Sequence, residues 1–291
     1  MGDKREMIDQ LRSHGPELPV TRACALLGLA RSDYYRQRVE AAPPPGLLDA
    51  LDALGLEFSG SGYRRVTAQL RREGWEVNHK RVLRLMREAG RLCRQKRRWS
   101  RTTDSRHGLQ VYPNLLPDRG WRTLTAPNQA WVADLTYIRL PGEFCSLAAV
   151  LDAFSRKGVG WSLSRSLEAG GVLTALERAL ADRTPGEGWI HHSDRGVQYA
   201  CRDYVERLQR AGARISMTAP GSPRENAQAE SFFRTLKREA VYVADYRNFG
   251  EAEGGIAHFI EEGSDRKRLH SALGYLPPIE FEKRFAAGLP H

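Results

Sequence analysis

The sequence is poor in cysteine. Its four, Cys24, Cys93, Cys145 and Cys201, lie far apart over 291 residues and form no paired spacing. That argues against a clustered Cys/His zinc site and leaves ordinary reduced thiols as the reading. No stretch approaches about 18 uninterrupted apolar residues, so no membrane-spanning helix is expected. The N-terminal stretch carries Asp3, Lys4, Arg5, Glu6 and Asp9 where a secretion signal would have an apolar core. A soluble, cytoplasmic chain with no membrane partner is the expectation. The sequence has no G-x-x-x-x-G-K-S/T loop, no Rossmann glycine fingerprint and no G-x-S-x-G elbow. Nucleotide hydrolysis and serine-esterase chemistry therefore lack support. No long-period repeat is present.

Hydrophobic residues make up 41% of the chain, enough for a sizeable core and two or three compact units. The net charge of +10 is unevenly placed. Residues 61–106 hold 15 Lys or Arg against four acids, Glu73, Glu76, Glu88 and Asp104. Essentially all the excess positive charge thus sits in one block, which suits a polyanion partner; a solvated surface is the plainer alternative.

Helical patterns begin at Pro19 and resume after a spacer. In PVTRACALLGLARSDYYRQR, Pro19 to Arg38, Thr21 can cap one short helix and Ser32 a second, with Gly28 turning between them. This fits a helix-turn-helix or a plain helical hairpin. After the stiff spacer AAPPPG (41–46), leucines from Leu47 onward are largely helix-spaced. Val66 and Leu70 then form an apolar stripe flanked by Arg64, Arg65, Arg71 and Arg72. Asn78 can cap a further helix with Val82, Leu85 and Met86 inward and Lys80, Arg81 and Arg84 outward. These two basic amphipathic helices are the stronger DNA-binding candidate, and Arg97 and Arg98 extend the surface as a tail.

From Gln129 the pattern becomes strand-like: 131–140 alternates, 144–151 is continuously apolar and 159–163 is short. Helix, strand, helix, strand and a strong final helix over 224–240 follow. Ser222, Pro223 and Glu225 give that last helix the signature of a capping box. Three hairpin-connected strands followed by alternating helices and strands predict a mixed α/β sheet in the element order of a ribonuclease-H-like fold.

Three acids stand out. Asp134 interrupts a β-branched and aromatic strand, where a carboxylate is costly unless paired or bound to a cation. Asp194 follows the fourth strand, a usual place for a site in an α/β sheet. Glu230 lies on the final helix beside Ala227, Phe233 and Leu236 and is expected to face the sheet. Any one alone can be structural. Together they can hold divalent cations, Mg²⁺ or Mn²⁺ before zinc, for in-line phosphodiester displacement. Asp152 is a rival ligand, with a turn role as its alternative. His191 and His192 read as orienting neighbours. Asn226, one turn before Glu230, can reach the site or be a surface amide. Trp99, Trp121 and Trp131 can stack bases or be buried.

Thirty-five residues separate Asp194 from Glu230, and Lys237 stands seven beyond. This spacing resembles that of DDE transposases and retroviral-type integrases. WVADLTYI, LDAFSRKGVGW, HHSDRGVQY, ENAQAESFFRTLKRE and RKRLHSALGYLPPIEFE, with GYRRVTAQLRREG and NHKRVLRLMREAG upstream, resemble the second-frame subunit of the insertion-sequence-three family over nearly the whole chain. The resemblance implies a ribonuclease-H-like integrase core with two Mg²⁺ or Mn²⁺ ions on Asp134, Asp194 and Glu230. It also implies Lys237 near the DNA backbone, and hydrolysis that frees a 3′-hydroxyl for attack on a second phosphodiester. Its implied partners are double-stranded DNA (terminal repeats and target), an upstream-frame helix-turn-helix and coiled-coil protein joined by frameshifting, and further copies of the chain on DNA. A nuclease without strand transfer and a domesticated DNA-binding regulator are the alternatives. One departure is EEGSD before Arg266, where that family more often carries an aromatic residue and Asn; it bears on the packing of the tail. The expected division is a helix-turn-helix-like segment (1–42), a basic helical DNA-binding domain (47–100), a linker (101–128), the catalytic core (129–242) and a basic helical tail (243–291).

Overall fold

The computed structural model describes residues 2–15, 17–35, 42–93, 108–116, 120–166, 168–219 and 222–290. Arg97, Arg98 and Trp99 lie outside the described residues. The chain divides into two units, Met1–Leu47 and Leu48–His291. In the first, α1 (Gly2–His14), α2 (Val20–Leu26) and α3 (Arg31–Tyr35) close on Ile8, Ala23, Cys24 and Leu29. The expected caps shift by a residue or more. Pro19, extended at φ −61°, starts α2, so Thr21 lies inside its first turn. Ala30 accepts the first amides of α3, so Ser32 also lies within its helix. The sequence reading did not foresee α1, because Ile8 is its one fully buried apolar residue while Met7 and Leu11 stay exposed.

In the second unit, α4 (Leu47–Glu57), α5 (Tyr63–Arg72) and α6 (His79–Glu88) form the basic helical domain. Val66 and Leu70 of α5 meet Val82, Leu85 and Met86 of α6 as buried residues, so the apolar stripes are the packing faces. Asn78 caps α6 by accepting from the Lys80 amide at 2.9 Å.

The sheet follows. Strands β1 (Ala130–Leu140), β2 (Glu143–Asp152) and β3 (Gly158–Ser164) form an antiparallel meander. After α7 (Ala169–Asp182) come β4 (Ile190–Ser193), the short α8 (Val197–Ala200), α9 (Arg202–Arg210) and β5 (Arg214–Met217). The strand order is β3-β2-β1-β4-β5, with β4 parallel to β1 and β5 parallel to β4. Pleating sends alternate residues of β1 to opposite faces. Trp131 and Ala133 bury in the cluster that includes Val172, Leu176, Tyr204 and Leu208 of α7 and α9. Val132 and Ile138 bury with Phe232, Phe233 and Leu236 of α10 (Ala227–Leu236) and with Ile256 of α11 (Phe249–His258). Gly160 lets α7 lie directly on β3, since a Cβ there would stand 2.7 Å from the Ala179 nitrogen.

The polar stretch before the sheet packs against it where it is described: Leu116 is buried in the core, and the Leu115 amide donates to Ser216 Oγ at 2.9 Å. One expectation is corrected by packing. The capping box does not form: Glu225 accepts from the Ala219 amide at 2.6 Å instead of closing on Ser222. A single 3₁₀ turn, Pro223–Asn226, leads into α10.

The C-terminal segment is built into the core. α11 supplies Ala252 and Ile256, then widens into a π turn over Phe259–Lys267 before α12 (Pro278–Ala286). Glu282 of α12 accepts from Ser155 Oγ at 2.6 Å and from Arg183 at 2.7 Å. Asp265, in the departing EEGSD stretch, is buried and accepts from the Gly158 amide at 3.1 Å. Burial raises its carboxyl from an ordinary 3.8 to about 7, against the pull of that amide and of Lys157. The folded state therefore holds a proton that the unfolded chain has released, and stability falls as pH rises from about 4 through 7. Asp265→Asn keeps the acceptor and removes the charge. It should stabilise the protein by about 2 kcal/mol or more at pH 8 and hardly at all near pH 4. Thermal melts of both proteins across that range measure this; a constant difference between them would contradict it.

Candidate active site

Parallel pairing of β1 with β4 sets the site. Trp131 pairs with His191 and Val132 with His192. Carried two residues further, this register sets Asp134 beside Asp194, where β4 has just ended and adjacent chains lie about 5 Å apart. Asp134 also pairs with Ala149 of β2, so it stands on the central strand of the sheet. One carboxylate oxygen of Asp134 accepts from the Leu135 amide at 2.8 Å, and Asp194 accepts from the Gly196 amide at 2.9 Å. Glu230 arrives from α10, which packs on β1. Asn226 ties the start of that helix to the strand: its Nδ2 donates to the Ala133 carbonyl at 3.2 Å, and the residue is buried.

Electrostatics shows which groups meet. Burial pushes the Asp134 carboxyl well above its ordinary value, and the charges of Asp194 and Glu230 push it further; the Leu135 amide and Lys237 pull it back. Lys237 is half-buried. Desolvation lowers its ammonium, and Asp134 is the charge that opposes this. Partial burial raises the Glu230 carboxyl against the pull of Arg234, and Glu230 is the exposed member of the three. The structure therefore brings Asp194, Glu230 and Lys237 within electrostatic reach of Asp134. Among the described residues, no three Asp, Glu, His or Cys side chains already stand in an ion-enclosing arrangement. The donor set is all oxygen, and burial, joined by the neighbouring carboxylates, raises the Asp134 carboxyl. Both features fit a hard divalent cation, which would offset the carboxylates' charge.

Other candidates resolve into supporting roles. Asp152 is fully buried and accepts from the Asn128, Phe154 and Ser155 amides at 2.6, 3.0 and 2.7 Å. Its oxygens hold the β2–β3 turn, which answers the rival-ligand reading. His191 and His192 are buried and neutral, with burial pushing them down to about 3 and about 4. His191 Nε2 meets the Tyr204 hydroxyl at 2.9 Å, and His192 Nδ1 meets Ser216 Oγ at 2.8 Å. His192 thus braces β4 against β5. Trp131 is core, its ring centroid 4.5 Å from that of Trp189, and Trp121 lies edge-on to His192 at 5.1 Å.

On the helical domain, Arg64 and Lys80 are exposed, Arg81 is partly buried and Arg84 pairs with Glu88 at 3.7 Å. Arg65 departs from the expected outward face. Its Nε donates to the Leu269 carbonyl at 2.8 Å, and burial and Arg268 lower it to about 10. The sequence reading also passed over Tyr199, which occurs in HHSDRGVQY. Its buried hydroxyl is pushed well up by burial, by Tyr204 and by the charges of Asp134 and Asp194. A tyrosine five residues past a candidate ligand was the available signal.

A five-stranded mixed sheet with one acid within its central strand, one just past the neighbouring parallel strand and one on an overlying helix is a ribonuclease-H-like integrase core. The integrase core domain model matches residues 125–223, and a second integrase core model matches 211–278. An HTH-like domain model matches 57–99, placing that likeness on the basic helical domain instead of on α2 and α3. A Shigella sonnei protein described as "Insertion element IS600 uncharacterized 31 kDa protein" is 35% identical over 270 residues, 90% of this chain and 98% of the relative. "Transposase InsF for insertion sequence IS3A" of Escherichia coli (strain K12) is 33% identical over 282 residues, 94% of this chain and 97% of that one. Among solved structures, a simian T-cell lymphotropic virus intasome gives a TM-score of 0.46 at 15% identity, over 80% of this chain and 74% of that one. An HTLV-2 integrase catalytic core domain in complex with magnesium gives 0.40 at 13% identity, over 54% and 97%. The chain belongs to the IS3-type family of insertion-sequence transposases.

Ser216 joins two parts of this site. Ser216→Ala would strand both the Leu115 amide and His192 Nδ1 in a buried setting. It should lower stability by about 2 kcal/mol. Denaturant titration measures this, and an unchanged midpoint would contradict the bracing role of His192.

Proposed function

We propose that this chain cuts DNA at the ends of an insertion sequence and joins the freed 3′-hydroxyl to target DNA. The observation that carries this is the gathering of Asp194, Glu230 and Lys237 around Asp134 in an integrase core. Asp134, Asp194 and Glu230 are the metal ligands in this reading. Two bound Mg²⁺ or Mn²⁺ ions would supply Lewis acidity to the attacking and leaving oxygens of the displacement. The chain's own residues do the rest. Asn226 fixes the helix that presents Glu230. Tyr199 is a buried ring whose hydroxyl lies within the field of the two aspartates. Lys237 offers its ammonium to the phosphate backbone of the reacting strand, within reach of Asp134. In the first step water adds to phosphorus as the bond to the 3′-oxygen breaks. In the second, that 3′-oxygen attacks a target phosphorus and displaces the target's own 3′-oxygen.

Residues 47–100 are the DNA-binding domain in this scheme, with Arg64, Lys80, Arg81 and Arg84 contacting backbone phosphates and Arg97 and Arg98 continuing beyond the described residues. Residues 129–242 with the tail 243–291 form the catalytic part, and 1–42 is a separate helical unit. The DNA partners are terminal repeats and target; further copies of the chain and an upstream-frame fusion partner complete the assembly. Among the described residues no helix is long and apolar enough to cross a membrane.

Two tests address the site directly. Asp194→Asn should abolish nicking and joining of labelled element-end DNA in Mg²⁺ while leaving duplex affinity nearly unchanged. Parallel loss of both would make Asp194 structural, and nicks without joints from the wild type would leave a nuclease. In the absence of divalent ions, Asp134→Asn should melt above the wild type at pH 8, because it removes a carboxylate that burial and its neighbours disfavour. Mn²⁺ should raise the wild-type melting temperature and leave that of Asp134→Asn unmoved. An equal response from both proteins would remove Asp134 from the ligand set.

A further inference from the structure

The helix that carries Glu230 does not end with its last regular turn. It widens into a π turn over Lys237–Val241, and consecutive residues of that turn face different partners. Lys237 senses Asp134. Arg238 donates to the Gly60 carbonyl at 3.1 Å and contacts the Cys93 sulfur, both in the HTH-like domain. Glu239 pairs with Arg268 of the C-terminal segment, with side-chain exposures of 4% and 5%. Gly60 is the residue this approach requires: a Cβ there would stand 2.9 Å from Arg238 Cδ and run into the Glu239 carboxylate.

More contacts tie the same domain to the same region. Arg65 of α5 donates to the Leu269 carbonyl at 2.8 Å, next to Arg268. Lys267 pairs with Glu57 of α4 at 2.7 Å, and Arg72 of α5 with Glu280 of α12 at 2.6 Å. Arg65 senses the charges of Arg268, Glu239 and Arg238 together. One buried carboxylate therefore pairs with Arg268 and lies against Gly60, with Arg238 and Arg65 bonded to the backbone of the same seam. Removing it would leave cations that repel one another in a poorly solvated seam.

We propose that Glu239 is a positioning residue, and that this buried ion cluster locks the HTH-like domain to the catalytic helix. The lock sets the distance along bound DNA between the duplex held by the HTH-like domain and the phosphodiester presented to Asp134, Asp194 and Glu230. The inference rests on the transposase reading, and its consequence is the choice of phosphate cut. Loosening the lock should leave duplex affinity intact and spoil the position of the nick. A displacement of about 1 Å at the reacting phosphate costs on the order of a hundredfold in rate.

The test uses the full chain, Mg²⁺ and an end-labelled duplex carrying the element's own terminal sequence, with nicks mapped to the nucleotide. Glu239→Gln keeps the shape and adds net positive charge, so weaker attraction to phosphate cannot explain a loss. It should lower cutting at the wild-type phosphate by about 10- to 100-fold and scatter the remaining nicks, with duplex affinity within about twofold. If Glu239→Gln fails to fold, Glu57→Lys with Glu280→Arg, at one exposed and one half-buried position, sets like charges against Lys267 and Arg72 outside the core. That variant should show the same scatter, and adding Lys267→Glu with Arg72→Glu should restore a single nick. A folded Glu239→Gln, or failing that a folded Glu57→Lys/Glu280→Arg, that cuts the wild-type phosphate at wild-type rate would overturn the proposal; so would scatter that the swapped charges do not correct. A wild type that cuts nothing would instead overturn the transposase reading on which it rests.

Discussion

The central strand carries one carboxylate, the chain just past its parallel neighbour carries a second, and a helix packed on the sheet carries a third. Burial pushes the Asp134 carboxyl up, and the charges of Asp194 and Glu230 push it further. Much of the surrounding structure keeps the three from moving apart. Ten paired positions along β1 and β2 fix Asp134 from one side, and the short β4 ends just where Asp194 must follow. Asn226 pins the start of α10 to the Ala133 carbonyl. The apolar face of that helix, with Phe232, Phe233 and Leu236, anchors it to the sheet. Hydrophobic burial on both faces thus supports a charge arrangement that is unfavourable by itself.

The same helix serves a second purpose at its far end. Within one widened turn it passes from the candidate active site to the HTH-like domain, so a single backbone segment touches both. The C-terminal segment completes this arrangement. It fills the sheet face through Ile256 and Ile260, holds the β2–β3 turn through Glu282 and supplies Arg268 to the ion cluster. It is a structural part of the catalytic unit, and its fourth role, at Asp265, makes its packing sensitive to pH.

Much of this was legible in the sequence, and for physical reasons. The strands were legible by alternation in 131–140 and by the continuous apolar run of 144–151, which is what burial of both sheet faces under helices produces. Asp134 was legible because an acid within a β-branched run has no cheap explanation, and Asp194 because it follows a short buried strand. What stayed hidden depended on contacts between distant positions. Nothing local marks Arg65 as inward-facing; its acceptor is the carbonyl of residue 269, 204 positions away. Arg238 and Glu239 read as ordinary surface charges until Gly60 and Arg268 are brought to them. Thr21, Ser32 and Ser222 are good capping residues at the wrong place, because Pro19, the Ala30 carbonyl and the Ala219–Glu225 bond define the helix starts instead. Beyond its spacing from Asp194, Tyr199 carries no local mark of its place; it is core, and the charges of Asp134 and Asp194 reach its hydroxyl.

The central claim is that Asp134, Asp194 and Glu230 form one cation site. Its most direct test is a crystal of the protein grown or soaked with Mn²⁺ and measured for the ion's anomalous scattering. The account requires a strong peak bridged by oxygens of Asp134 and Asp194, with Glu230 drawn in from its exposed position to complete the ligand set. Manganese bound elsewhere, or a cation-loaded structure in which Glu230 stays outside the coordination sphere, would contradict it.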